Sequence, residues 1–385
     1  MKKCYWAVFA IGVVLSLLAV WIDRFVPATQ PLGPSAASNS LKVLHACTSS
    51  VNSYSGPLVP DQATPLPAIP LSGLALQDPL PSSRWSARAG FSISSSTDPV
   101  YWAQLLGAGW YLDWSASDQS LANSPEHWQM VRVHEDCINP APEVIQSLAA
   151  TFPGQVWIIG NEPDVIWQDN VTPTSYAVYY HALYHLIKSS DPSAKVAVGG
   201  IAQATPLRLQ YLDNVLKIYR DLYHQPLPAD WWTVHGYVLR EEKNSWGVEI
   251  PPGINSTQGI LYEVSDHGRL DYFESQLLAF RQWMKDNGYQ DTPLALTEFG
   301  ILMPTSYGFP QESIADYLEQ TFTWLYESKD ELIGYPADAY QLVQKWAWFS
   351  ISDPNYPSSD LGELSTGTLS LVGERFRTVL STKGH

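Results

Sequence analysis

From about residue 88 onward the chain alternates short apolar runs with longer segments of helical periodicity. The clearest run is Val156-Trp157-Ile158-Ile159, which leads directly into Gly160-Asn161-Glu162-Pro163-Asp164. A short, continuous apolar run bounded by turn residues reads as a strand buried on both faces. Pro293-Leu294-Ala295-Leu296-Thr297-Glu298-Phe299-Gly300 repeats the design: an apolar strand, one glutamate at its tip, then glycine. Further runs predict strands at 90–93, 110–115, 128–133, 195–201, 231–237 and 344–349. Between them, segments 142–150, 174–189, 207–223, 271–287 and 312–328 predict helices. In 174–189 the apolar stripe is Ala177, Tyr180, Ala182, Leu183, Leu186 and Ile187, with Thr174 as the expected cap. Asp98-Pro99 opens a short helix at 100–106, Asp98 capping it and Pro99 at the first helical position. The tail, 367–380, predicts a turn or hairpin and a closing helix. Strands and helices alternating over roughly 300 residues predict an α/β fold, the (β/α)8 TIM barrel, whose usual range is about 200 to over 400 residues.

The N-terminal part follows a different pattern. Lys2 and Lys3 precede an uncharged apolar run from residue 5 to residue 22. A secretory core is usually about 7–15 residues, and a membrane span needs about 17–25. The length favours a transmembrane signal anchor over a cleaved signal peptide; cleavage near Ser35-Ala36-Ala37-Ser38 is the alternative. The lysine pair predicts a cytoplasmic N-terminus with the remainder exported. Residues 23–86 are rich in Pro and Ser and read as a linker or an extended strap, with a short strand expected at 41–47. The expected organisation is therefore 1–22 anchor or signal, 23–86 Pro-rich linker and 87–385 catalytic barrel. Within the last, the long 239–266 insertion reads as a lid or a wall.

Composition narrows the partners. Among 385 residues, 22 basic side chains face 38 acidic ones, a formal charge of −16. That excludes nucleic acid, whose phosphates nothing here would neutralise, and fits a neutral ligand. The 16 Trp and 21 Tyr read first as core filling, with stacking platforms for sugar rings as the functional reading beside it. Cys4 lies before the apolar run, so Cys47 and Cys137 are the two cysteines that can pair outside a membrane. Their spacing suits no metal, and neither metal nor organic cofactor is expected. Asn170-Val171-Thr172 and Asn255-Ser256-Thr257 match the glycosylation acceptor pattern.

A carboxylate at the carboxyl end of a barrel strand sits where such folds place their chemistry. Hydrolysis of a glycosidic bond needs one carboxyl to protonate the leaving oxygen and one to attack or to activate water. Asn161-Glu162-Pro163 after the fourth predicted strand and Thr297-Glu298-Phe299-Gly300 at the seventh resemble the retaining glycoside hydrolases of clan A. Tyr111-Leu112-Asp113-Trp114-Ser115, Asn161-Glu162-Pro163-Asp164 and Trp348-Phe349 look most like the endo-β-1,3-glucanase group within that clan. The resemblance covers about 87–380. It implies Glu162 as general acid/base, Glu298 as nucleophile, and Asn161 as a donor to the sugar 2-hydroxyl. It also implies His235 and Tyr237 as residues that orient the nucleophile or line the subsite, and Trp348 as the sugar platform. Trp114 is a further candidate contact, and Arg132 a candidate carboxylate partner. The expectation is a monomeric hydrolase of a neutral β-linked glycan, exported and held at the membrane by its N-terminal segment. The rival readings are a non-catalytic carbohydrate-binding barrel and an envelope scaffold contacting partners through 23–86.

Overall fold

The computed structural model describes residues 44–47, 84–94, 97–118 and 125–383. The apolar 5–22 segment and most of the Pro-rich region lie outside these. No helix among the described residues is long and apolar enough to cross a membrane. The chain forms an α/β fold on a curled, mostly parallel ten-stranded sheet.

In chain order the elements are α1 (Arg84–Arg88), β1 (Ala89–Ser92), α2 (Pro99–Leu106), β2 (Trp110–Leu112), β3 (Glu126–His127), β4 (Gln129–Val133), β5 (Ile138–Asn139) and α3 (Pro142–Thr151). Then follow β6 (Val156–Ile159), α4 (Pro173–Ser190), β7 (Lys195–Ile201), α5 (Pro206–Tyr223), β8 (Trp231–His235) and α6 (Leu270–Asp286). The chain ends with β9 (Leu294–Phe299), α7 (Gln311–Glu327), β10 (Lys345–Trp348), a hairpin of β11 (Gly362–Glu363) and β12 (Thr368–Leu369), and α8 (Leu371–Lys383). The parallel ladder runs β2-β1-β10-β9-β8-β7-β6-β4. β3 and β4 are one segment broken at Trp128. Its first half pairs with β2 (Tyr111 with His127) and its second with β6 (Met130 with Ile158). The two ends of the ladder therefore meet on a single stretch of chain.

Residue alternation sorts the two faces. Trp110, Leu112, Trp128, Met130, Ile158, Ala197, Ala295 and Ala347 form one buried cluster on the inner face. Trp157, Ile159, Trp232, Val234, Leu294, Leu296, Trp346 and Trp348 belong to the larger outer cluster that includes the buried helix residues. Small side chains on β7, β9 and β10 leave inner room for the tryptophans of β2 and the β3–β4 segment.

The strand ends depart from alternation where chemistry was expected. Between β8 and β9, Val234 pairs with Leu296 and His235 with Glu298, so β9 carries one extra residue. Without that bulge Glu298 would share the outward side of Leu294 and Leu296. With it, Phe299 points outward onto Phe273 and Phe322, and Glu298 points inward.

Two expectations shift. Helix α4 is capped by Thr172, not Thr174: its hydroxyl accepts from Ser175 N, and Pro173 takes the first helical position. The folded unit also begins earlier than 87, since Trp85 on α1 stacks on Tyr326 with ring centroids 3.7 Å apart. Residues 44–47, inside the expected linker, are fastened to it as well. Ala46 bridges Ile138, and Cys47 forms a disulfide with Cys137 across a separation of 90 residues.

A loop of that size restricts the unfolded chain strongly. Cys47→Ser/Cys137→Ser should lower unfolding free energy by roughly 2–4 kcal/mol. Urea denaturation of oxidised, reduced and double-serine protein measures it, and peptide mapping without reductant should recover the linked pair.

Candidate active site

β6 delivers Glu162 by a turn with two left-handed residues, Gly160 at φ 86° and Glu162 at φ 44°. The turn is closed by hydrogen bonds from Gly160 N to Val131 O (2.7 Å) and from Glu162 N to Gly200 O (2.9 Å). Asp169, fully inside, receives Asn161 N (2.7 Å), Val133 N (3.0 Å) and Arg132 Nε (2.5 Å). Arg132 thus pairs with a carboxylate, as expected, but with the one that shapes this turn.

β8 supplies His235 and, two residues on, Tyr237. His235 Nδ1 lies 2.9 Å from Glu162 Oε1, and Nε2 lies 3.7 Å from Glu298 Oε1. One imidazole therefore stands between both strand-end carboxylates. Trp114 donates its indole N–H to Glu298 Oε1 (2.7 Å), and the Tyr237 hydroxyl donates to Oε2 (3.1 Å). The side chains of Glu162 and Glu298 keep only 10% and 7% of their surface. Gly200 has no room for a side chain, because a Cβ there would meet His235 Cδ2 at 2.8 Å.

Electrostatics follow from this closeness. Burial pushes the Glu298 carboxyl up, His235 pulls it down, Glu162 pushes it up again, and the Trp114 and Tyr237 donors oppose the rise. Burial alone would lower the His235 pKa, but Glu298 and Glu162 outweigh it and hold the imidazole above its usual value. Burial and then Glu298 raise Tyr237 well above the ordinary phenol value, so it stays protonated and remains a donor. Glu162, His235 and Glu298 each offer one ligating atom within 4.8 Å of the others, the one set among the described residues close enough to hold a metal ion. The wiring is that of an imidazole shared by two acids.

Five predicted residues thus converge: Glu162, Glu298, His235, Tyr237 and Trp114. Asn161 adjoins them, its Nδ2 on Gln168 Oε1 at 3.4 Å and its buried Oδ1 without a partner. Trp348 does not join them. Its side chain is fully buried on the outer face against Phe299 and Phe322, with its N–H on Ser359 O at 2.9 Å. It presents no open ring to a sugar. The next residue does face inward: Phe349 meets Trp114 and Tyr237 edge-on at 5.8 and 6.4 Å. Inner Ala347 on the same strand marks that parity.

The loops beyond the strand ends are held by groups the pattern did not single out. Arg208 on α5 is completely buried and pairs with Asp164, two residues beyond Glu162, and with Glu241 (2.9 Å). It also donates to Val248 O (2.8 Å) and Glu249 O (2.9 Å), so the 239–266 insertion is fastened to α5. Gln203 and Gln276 secure the Tyr237 arm through Leu239 and Tyr237 O. His267 donates from Nδ1 to Val238 O (2.9 Å) and accepts Leu302 N at Nε2 (2.8 Å), joining the loops after β8 and β9.

No family model and no curated protein matches the chain. Solved structures do match. A GH128 (subgroup II) endo-β-1,3-glucanase from Pseudomonas viridiflava aligns with TM-score 0.53 and 16% identity over 76% of this chain and 98% of its own. The corresponding enzyme from Sorangium cellulosum gives 0.52 and 15% over 76% and 98%. A curdlan-specific GH128 (subgroup III) exo-β-1,3-glucanase from Blastomyces gilchristii, bound to glucose, gives 0.50 and 15% over 77% and 99%. At such identities the likeness establishes a shared fold.

Arg208→Met should cost about 3–5 kcal/mol, because Asp164 and Glu241 would remain buried without their cation; chemical denaturation reads it directly. His267 gives a pH signature. Burial lowers its pKa from 6.5 to about 4. Between those values the unfolded chain binds more protons, so this contribution is lost as pH falls from about 6.5 towards 4 and is constant below. His267→Gln keeps both hydrogen-bond roles and should show a shallower loss of stability on acidification than wild type, measured by denaturation at stepped pH.

Proposed function

We propose that this chain is a glycoside hydrolase acting on a neutral β-linked glucan by double displacement, with β-1,3-glucan the first candidate. The observation that carries the reading is the convergence of two strand-end glutamates on one histidine. Their nearest ligating atoms lie within 4.8 Å. Retaining enzymes hold their carboxyl groups about 5–5.5 Å apart, whereas inverting enzymes leave room for a water at about 6.5–9.5 Å. We read the curled sheet as a (β/α)8 barrel with the site at the carboxyl ends of its strands.

The roles follow from hydrogen bonding. Both Glu298 oxygens accept from donors, Trp114 and Tyr237, an arrangement suited to an ionised nucleophile that must not rotate. Glu162 is oriented through Oε1 by His235 and serves as general acid, then base. The unpartnered Oδ1 of Asn161 would be met by a sugar hydroxyl. Phe349 and Trp114 offer apolar ring surface beside the acids. The GH128 endo- and exo-β-1,3-glucanases that share this fold support β-1,3-glucan as substrate. Action as an exported monomer, tethered through 5–22, belongs to the same proposal and rests on the sequence alone.

Incubation with β-1,3-glucan and a panel of other β-glucans, mannans, xylans and galactans should release oligosaccharides from the first. Proton NMR of the earliest product should show the β-anomer. Glu162→Gln should lower kcat about 10²–10⁴-fold, with Glu298→Gln at least as severe. Absence of hydrolysis across the panel would remove the reading, and an initial α-anomer would remove retention.

A further inference from the structure

We propose that Asp113, His127 and Gln129 form a positioning relay that aims Trp114 at Glu298. The inference rests on the reading of Glu298 as nucleophile. Trp114 lies at a left-handed φ of 55°, two residues past the end of β2, a conformation a tryptophan does not hold unaided. The turn on either side of it is pinned. The Asp113 carboxylate accepts Ser115 N (3.1 Å) and Ser115 Oγ (2.9 Å). Gln129 Oε1 accepts Ser117 N (2.8 Å), and its amino group donates to Ser117 O (3.1 Å). Met130 N closes on Ser115 O at 2.8 Å.

His127 joins the two clamps. With Gln129 Oε1 taken by Ser117, the Gln129 amino group faces His127 Nδ1 at 3.1 Å, so Nδ1 is the acceptor. Nε2 then carries the hydrogen that goes to Asp113 Oδ1 at 2.9 Å. All three side chains are buried, and the His127 ring stacks on Tyr111 at 4.6 Å, 9° from parallel. None of the three touches Glu162, Glu298 or His235 by a hydrogen bond. Their one route to the chemistry is the backbone of 113–117 and the indole it carries. Loss of the relay frees that turn, lengthens the indole bond and leaves Glu298 with fewer donors to its charged form.

The test uses a readout that does not depend on turnover. Protein labelled with [13Cδ]glutamate reports the Glu298 titration, the signal being identified by its loss in Glu298→Gln. His127→Phe keeps the stack on Tyr111 and removes both relay bonds. It should raise the Glu298 midpoint by roughly half to one pH unit, and Trp114→Phe by at least as much. The double variant should match Trp114→Phe alone, because both act through one bond. Glu162, His235, Tyr237 and Asp353, the other titratable groups that act on or feel the Glu298 charge, are unchanged throughout. With laminarihexaose, His127→Phe should lower kcat about tenfold with KM nearly constant. If His127→Phe does not fold, Gln129→Met takes its place with the same expectations. A Glu298 midpoint unmoved in the relay variant, unmoved in Trp114→Phe, or shifted additively in the double variant overturns the relay. A wild-type protein that cleaves no glucan overturns the enzymatic reading and leaves the titration result standing.

Discussion

Two carboxylates and one imidazole share a space nearly closed to water, and the arrangement constrains everything around it. Burial alone would push the Glu298 carboxyl up and pull the His235 imidazole down. Together they balance: His235, raised by the two acids, offsets part of the burial cost of Glu298. Such a balance depends on distance more than on contact area. Hence the surrounding structure is polar and directional where the lower sheet is apolar and interlocked.

That requirement explains the irregular strand ends. A regular β9 would send Glu298 towards the helices and bring Phe299 into the site. One inserted residue exchanges them, and the outward Phe299 then seals against Phe273 and Phe322. At β6 the same problem is solved by left-handed backbone at Gly160 and Glu162. Gly200 completes the set by leaving the space that His235 fills.

Much of this was legible from residue order, because strand-end acids, buried apolar runs and helical stripes are local features. The eight parallel runs, Glu162 and Glu298 could be found that way; His235 and Tyr237 came with the family resemblance, and elimination left Cys47 and Cys137 as the two cysteines able to pair without deciding that they do. Trp348 shows the limit. Trp348 and Phe349 are both aromatic and adjacent, and only the parity of the strand, set by Ala347 facing inward, tells which one reaches the site. Arg208 was hidden for another reason. A charged residue on an amphipathic helix reads as solvated surface, and its partners Asp164, Glu241, Val248 and Glu249 are assembled from three separate segments. Asp169 was equally silent, since its donors are one backbone amide on β4, one in the turn after β6, and the Arg132 side chain.

Arg208 also clarifies why a buried ion network is used where apolar side chains would pack as well. Hydrophobic replacement of such networks often leaves stability unchanged or improves it, so stability is a weak account of its presence. What the network adds is a set of directional bonds from one cation to several chain segments. Arg208 pairs with Asp164, two residues from Glu162, and with Glu241, and donates to the carbonyls of 248 and 249. The 239–266 insertion and the turn bearing one acid are thereby indexed to the same guanidinium. His267 does the corresponding work between the loops after β8 and β9. Each long loop is thus referenced to a strand end that carries a site residue.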